Sequence, residues 1–423
     1  MGAGGGAATQ KNGIEVLRER GFVRQCTDLE ALEALAEKEP VTFYVGLDPT
    51  GGSLHVGHMV PVMAVAHLAK AGHNPIIIIG GGTARIGDPS GKTEMRRMLS
   101  VEQINEYGEN FKRQIGNVLA TQGVEPKFVD NAEWLTELNY IDFLRDIGRH
   151  FSVNRMLSFE AYKQRLETGL SFIEFNYQLL QSYDFLVLNE RYNCKLQIGG
   201  DDQWGNIVAG TDLIRRVRGE ETYGLTFPLV TRADGKKMGK TEQGAVFVAP
   251  ELMGPYDFFQ YWRNVPDEDV VRFLKLYTFL PMDEINKLSG LSGREINHAK
   301  EVLATEITRM VHGDAEADKA VAASKAAFGG TEEGDTSAIP RMAVSRADLE
   351  SGLSAVDLFS RTGLCSSRGE ARRLIQQGGA RVNEQKIEST EEMVDDRWFE
   401  GNEALLKAGK KRYFRVVLQD GDE

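Results

Sequence analysis

From Val41 to Val45 the chain is an apolar, β-branched and aromatic run, VTFYV, which predicts a buried strand. Gly46, Pro49, Gly51 and Gly52 break it. From Leu54 apolar positions return at helical spacing (Val56, Met59, Val60, Met63, Ala64), and Pro61 fits only if it lies in the first turn. The order is strand, glycine loop, helix start, with His55 and His58 in the opening turn. A helix start presents unpaired N–H groups and partial positive charge, an anion site to which two imidazoles add donors. A metal would need a third ligand, and no Cys or further His lies at a useful offset. Capping or packing is the default for such a pair unless other parts of the chain answer to it.

The same periodicities continue. Ile14–Arg20 and Asp28–Glu39 read as helices, the second capped by Thr27 or Asp28. His73-Asn74-Pro75 is a turn before a second buried strand, Ile76–Ile79. Three glycines and then GDPSGKT follow, half of a P-loop. The full pattern fails, because the glycine required five residues before Gly91 is Ile86, and Asp88-Pro89 puts a carboxylate where N–H groups should point. A strand at Lys127–Asn131 and a helix at Tyr140–His150 come next. In the apolar helix Phe172–Leu188, Tyr177, Gln181 and Asp184 fall at i, i+4 and i+7 as one polar stripe. Its neighbours are too apolar for a solvated face, so a ligand pocket is expected. Lys195–Ile198 then runs as a strand into GGDDQWGN, a strand-end loop of the kind that binds ligands in open α/β sheets. Past Pro228, Lys236, Lys237 and Lys240 crowd a glycine-containing turn. Alone they read as a solvated surface; around Met-Gly on a turn they suit a clamp on polyphosphate.

Composition sets limits. A chain of 423 residues calls for two or three domains. No apolar run approaches membrane length, and MGAGGGAATQ lacks the basic start and apolar stretch of a signal peptide. Three scattered cysteines without CxxC suit a reducing cytoplasm and argue against disulfides or a zinc ribbon. A net charge of −12 argues against nucleic acid, yet Arg361 to Arg415 carries 12 Lys/Arg against 9 Asp/Glu, a basic piece on an acidic body.

Together these motifs carry a resemblance. LHVGH resembles the HIGH motif and KMGKT the KMSKS loop of class I aminoacyl-tRNA synthetases. With YVGLDPT, GDPSGK, NYQLLQSYD and QIGGDDQWGN, the chain is similar to the bacterial-type tyrosyl-tRNA synthetase family, over most of Val41 to Phe247 and again at the C-terminus. Val56 replaces the usual isoleucine, Gly239 the usual serine, and Val45 a frequent cysteine that contacts ribose in some relatives.

The resemblance implies a tyrosine–tRNA ligase that activates L-tyrosine with ATP and transfers it to tRNA(Tyr). His55, His58, Lys237, Lys240 and Thr241 would be catalytic. Tyr44, Asp88, Tyr177, Gln181, Asp184 and Gln203 would bind tyrosine, Asp184 and Tyr44 at the phenolic hydroxyl and with Asp184 ionised. Gly46, Asp48, Thr50, Gly57, Asp202 and Lys240 would bind ATP or the adenylate, with Lys92 and Arg96 expected in the charge cluster. ATP would come with Mg²⁺; no prosthetic group or zinc is implied, and the enzyme would be a cytoplasmic homodimer. The fold class expected is α/β: a disordered tail (1–12), a Rossmann-like parallel-sheet catalytic domain (13–248), a helical anticodon-recognition domain (249–328), a linker (329–350) and a small α+β S4-like RNA-binding domain (351–423). In the last, Arg368, Arg372 and Arg373 would contact RNA phosphates.

Overall fold

The computed structural model describes residues 12–90, 98–231, 238, 240–241, 244–329, 339–409 and 412–419. All of the expected tail but Asn12, and residues 330–338 of the expected linker, lie outside them. The chain divides into two compact units. One runs to Lys240 and takes in Val246–Ala249 and Val265–Ala299; the other takes Thr241–Ala245, Pro250–Asn264 and the chain from Lys300.

The first unit is built on six strands: β1 (Gln25–Cys26), β2 (Thr42–Leu47), β3 (Asn74–Ile79), β4 (Lys127–Asp130), β5 (Leu196–Gly200) and β6 (Tyr223–Phe227). They lie in the order β1-β6-β5-β2-β3-β4. All pairs are parallel except β1 against β6. From β2 the chain winds outward through β3 to β4, then crosses back to β5 and winds the other way. The switch point therefore falls between β2 and β5, where open α/β sheets leave a crevice at the strand ends. The two-residue β1 and the five-residue β6 are not marked by a long apolar run, so neither is evident from sequence.

The helix Val56–Lys70 buries ten of its residues, from Val56 to Leu68. It is apolar on nearly every side, as a helix packed against a parallel sheet must be. Pro61 is its sixth residue, not part of its first turn as expected. A proline there has no N–H to offer the carbonyl of Gly57 four residues back. Asp28, not Thr27, caps the helix Leu29–Lys38, accepting from Ala31 N at 3.0 Å. The buried Arg20 explains why Val265–Ala299 belongs to this unit. Its guanidinium donates to the carbonyls of Lys275, Thr278 and Leu280 at 3.1, 2.9 and 2.5 Å, satisfying the C-terminus of the helix Val270–Tyr277.

In the second unit, Gln260 Nε2 on the helix Pro255–Arg263 donates to Ser324 Oγ on Asp314–Gly329 at 3.1 Å, both buried. A five-stranded sheet follows, in the order Gln385–Lys386, Ala380–Val382, Glu403–Ala408, Arg412–Gln419, Arg341–Ser345, with only the last pair parallel. The helices Ala355–Arg361 and Arg368–Gln376 share its core through Leu358, Phe359 and Ile375. Asn383 and Glu384, with φ of 45° and 62°, make the hairpin turn between Ala380–Val382 and Gln385–Lys386, the left-handed pair that a two-residue loop demands.

Candidate active site

A cleft of about 430 Å³ opens at the strand ends on either side of the switch point. Thirteen of the residues singled out from sequence line it: Tyr44, Gly46, Asp48 and Thr50 at the end of β2, His55, Gly57 and His58 at the helix start, Asp88, the stripe Tyr177, Gln181 and Asp184, and Asp202 and Gln203 after β5. Lys92, Arg96 and Lys237 lie outside the described residues. Lys240 and Thr241 form a two-residue strand, but their side chains are outside the description.

The two histidines are caps and cleft walls at once. His55 is the N-cap of the helix; its Nδ1 accepts from Gly57 N at 3.1 Å, while His58 Nδ1 accepts from His55 N at 3.2 Å. The rings stack with centroids 3.8 Å apart. With Nδ1 occupied as an acceptor, the proton of each neutral ring sits on Nε2, so each imidazole offers a donor beyond its cap. Gly57 sits close under this pair, since a Cβ there would come within 2.8 Å of His55 Cε1.

The polar stripe meets a connected network. Tyr177 Oη donates to Asp48 Oδ2 at 2.8 Å, and Thr83 Oγ1 donates to Asp48 Oδ1 at 2.7 Å. Gln203 Nε2 donates to Asp88 Oδ2 at 2.7 Å, and Asn206 Nδ2 reaches Gln181 Oε1 and Gln203 Oε1 at 3.2 and 3.1 Å. Burial and the charges of Asp48 and Asp88 push the Tyr177 phenol well above its ordinary value. Burial and the neighbouring Asp88 likewise raise Asp202.

Asp184 is 3 % exposed, with one donor on each oxygen: Asn131 Nδ2 on Oδ2 at 2.9 Å and Trp134 Nε1 on Oδ1 at 2.7 Å. These bonds favour the charged form, but burial, helped by Asp48 and Asp130, outweighs them and pushes its pKa up to about 8. Burial thus works against the expected ionised form of Asp184, because two hydrogen bonds replace only part of its lost hydration. Tyr44 Oη and Gln197 Oε1, facing each other's strands in register, are buried and have no partner among the described residues. A ligand bearing a hydroxyl would satisfy such groups.

Thr83, Ser90, Asn131 and Gln197 also line the cleft and were missed from sequence. Asn131 falls in the strand-end segment VDN, and that position was its only signal. The glycines after Ile79 are not a phosphate cradle. A Cβ on Gly80 would stand 2.0 Å from Asp48 Oδ1, and one on Gly81 2.4 Å from Asp130 Oδ1. They are glycines because two carboxylates crowd them. In the second unit, Arg368 pairs with Asp357 at 2.5 Å, whereas Arg372 and Arg373 are exposed on the same helix. Among the described residues no three His, Cys, Asp or Glu side chains gather as a metal site, and no helix is long and apolar enough to cross a membrane.

The family model for class I tRNA synthetases (W and Y) matches residues 36–329. The model for the tyrosine–tRNA ligase SYY-like C-terminal domain matches residues 333–416. A tyrosine–tRNA ligase of Treponema denticola is 55% identical over 406 residues, covering 96% of this chain and 99% of that protein. One from Clostridium tetani is 50% identical over 408 residues, covering 96% and 99%. A C-terminally truncated Aspergillus nidulans mitochondrial tyrosyl-tRNA synthetase superposes with a TM-score of 0.67 at 27% identity, covering 74% of this chain and 92% of that one. The chain belongs to the class I aminoacyl-tRNA synthetases of the tryptophan and tyrosine group. Within that group it falls among the tyrosine–tRNA ligases, and its activity is tyrosine–tRNA ligation.

Proposed function

We propose that the cleft carries out both half-reactions with the residues that line it. The tyrosine carboxylate attacks the α-phosphorus of ATP, the bond to the β-phosphate bridge breaks, and pyrophosphate leaves. A terminal ribose hydroxyl of tRNA(Tyr) then attacks the tyrosyl carbonyl carbon and AMP departs. Such transfers need positioning and charge stabilisation more than covalent help. The Nε2–H donors of His55 and His58 meet the phosphate region, and Lys237, Lys240 and Thr241 hold the leaving pyrophosphate. Lys92 and Arg96 add positive charge. Gly46, whose backbone is open to the cleft, with Asp48, Thr50, Gly57 and Asp202, receives the adenylate. Mg²⁺ arrives on the ATP phosphates as part of the substrate, needing no protein cage.

For the amino acid, Asp184 and Tyr44 read the phenolic hydroxyl while Asp88, Tyr177, Gln181 and Gln203 hold the α-ammonium and carboxylate end. The observation that carries this reading is that one cleft buries an aspartate bonded on both oxygens together with a phenol, Tyr44, that has no partner among the described residues.

The C-terminal sheet with the helix bearing Arg372 and Arg373 acts as an S4-type RNA-binding module; Arg341–Ser345 is one of its strands, so the module starts before residue 351 and only the residues ahead of that strand are left for the expected linker (329–350). The catalytic domain (13–248) and the helical anticodon-recognition region (249–328) precede it, with Val265–Ala299 of the latter packed in the catalytic unit. The module's free-facing arginines support its RNA-binding role, and Arg368 orients the helix through Asp357. The enzyme works in the cytoplasm as a homodimer. Support for the dimer comes from successive helices that expose Tyr140, Ile141, Val153, Leu166 and Phe172, the last 71 % exposed, a surface of the kind that a second copy would cover. The test of the whole reading is ATP–pyrophosphate exchange with each amino acid in turn. Exchange is expected with tyrosine and not with tryptophan; tryptophan-dependent exchange would overturn the assignment.

A further inference from the structure

Asp184 owes its one donor on Oδ1 to Trp134, and that indole is itself held from outside. Trp134 is 5 % exposed and sits on the short helix Ala132–Leu135 just after β4. The guanidinium carbon of Arg191 lies 5.3 Å from the centroid of its ring. Arg191 belongs to the last turn of the same helix that carries Asp184, about two turns further on, and is exposed to solvent. It is not among the residues that line the cleft. We infer that Arg191 is a positioning residue for tyrosine recognition, acting through the Trp134 ring on the hydrogen bond that Trp134 gives to Asp184.

Two physical effects run in the same direction. A guanidinium spread over an indole face fixes the plane of the ring, so Nε1–H stays aimed at Oδ1, 2.7 Å away. The cation also draws electron density from the ring, which makes the N–H a stronger donor to a carboxylate. The carboxylate needs such support. It is buried, and Asp48 at the end of β2 and Asp130 at the end of β4 oppose its ionisation. Tyr44 from β2, Tyr177 two turns earlier on the same helix and Asn131 are the other polar groups close to it. Around Arg191 itself stand Glu190 and the Tyr183 phenol. A stronger Trp134 bond leaves Asp184 a better acceptor for the substrate hydroxyl, so the effect falls on tyrosine and not on phenylalanine.

This inference rests on the proposed reading of the hydroxyl by Asp184, and the test separates the two. The measurement is the ratio of kcat/KM for tyrosine and phenylalanine in ATP–pyrophosphate exchange by the full chain, followed against pH. Asp184→Asn reports whether Asp184 reads the hydroxyl at all; if it leaves the ratio unchanged, both readings fall. Arg191→Met is expected to lower the ratio roughly two- to fivefold, as a cation–π contact of ordinary strength would, and to move its acid limb to higher pH. Arg191→Lys, which keeps the cation, is expected to restore most of it. The deciding arm is a double-mutant cycle with Trp134→Phe, which keeps a ring but removes the N–H. In that background Arg191→Met is expected to change the ratio no further. An undiminished effect there, or an unchanged ratio in Arg191→Met with only a lower melting temperature, would overturn the inference and leave Arg191 as a surface prop.

Discussion

The rings of His55 and His58 stack with centroids 3.8 Å apart, and the Nδ1 of each accepts a backbone N–H at the start of the helix they open. One pair of side chains thereby caps the helix and fixes which nitrogen each ring can present to a ligand. Removing either imidazole should therefore have two separable effects. His55→Ala or His58→Ala is expected to slow adenylate formation about a hundredfold in single-turnover experiments, with tyrosine affinity nearly unchanged, because donors used in the transition state typically supply roughly 3 kcal/mol. Loss of the cap should independently lower stability by about 1 kcal/mol. Normal activation in a destabilised variant would leave capping as the only role.

His67 provides a test of the core. Buried in the helix Val56–Lys70 against Phe22 and Phe279, with Arg20 and Lys70 nearby, it is held by burial first and those cations second at a pKa of about 3. The unfolded chain would take up a proton near the ordinary value of 6.5, so between about 6.5 and about 3 the unfolded state binds more protons. Stability is therefore present in full above that range and falls as pH drops through it. Between pH 7.5 and 5.5 this one group should cost about 1.4 kcal/mol. Denaturant midpoints of the natural chain and His67→Leu at the two pH values check it; an equal pH dependence in both would show that His67 takes up a proton without cost.

Much of this was legible in the sequence, and the failures have physical causes. Strand β2, the helix start and the stripe at 177, 181 and 184 follow from period alone, because each buries a face against the sheet. Strands β1 and β6 are short and lean on partners distant in sequence, so no local period marks them. Asn131 and Trp134 reach Asp184 from about fifty residues away, and nothing in VDNAEW says which way they point. The raised pKa of Asp184 follows from burial and from Asp48 and Asp130 brought together only by the fold. Gly80 and Gly81 looked like half a phosphate loop because the same residue serves wherever backbone and a polar group come close.

The C-terminal sheet and its arginines predict a division of labour. A chain ended near Thr336 should still form tyrosyl-adenylate yet charge tRNA poorly. Its residual tRNA affinity should also fall less steeply with salt, since fewer phosphate contacts release fewer counterions. Unimpaired aminoacylation by that shorter chain would show the module to be dispensable.

Asp184, with Tyr44, is proposed to recognise the substrate hydroxyl. A site that buries groups meant for that hydroxyl rejects phenylalanine on the order of 10⁴-fold or more, since they would be left unpaired. Tyr44→Phe should reduce this by only about 1 kcal/mol, one neutral bond. Because tyrosine and phenylalanine share the same α-amino group, the ratio of their kcat/KM values in pyrophosphate exchange isolates the hydroxyl. That ratio should rise with pH toward about 8 as Asp184 ionises. In Asp184→Asn it should collapse by at least a hundredfold and become flat. A large ratio surviving in Asp184→Asn, with its pH dependence intact, would show that the hydroxyl is read by other groups.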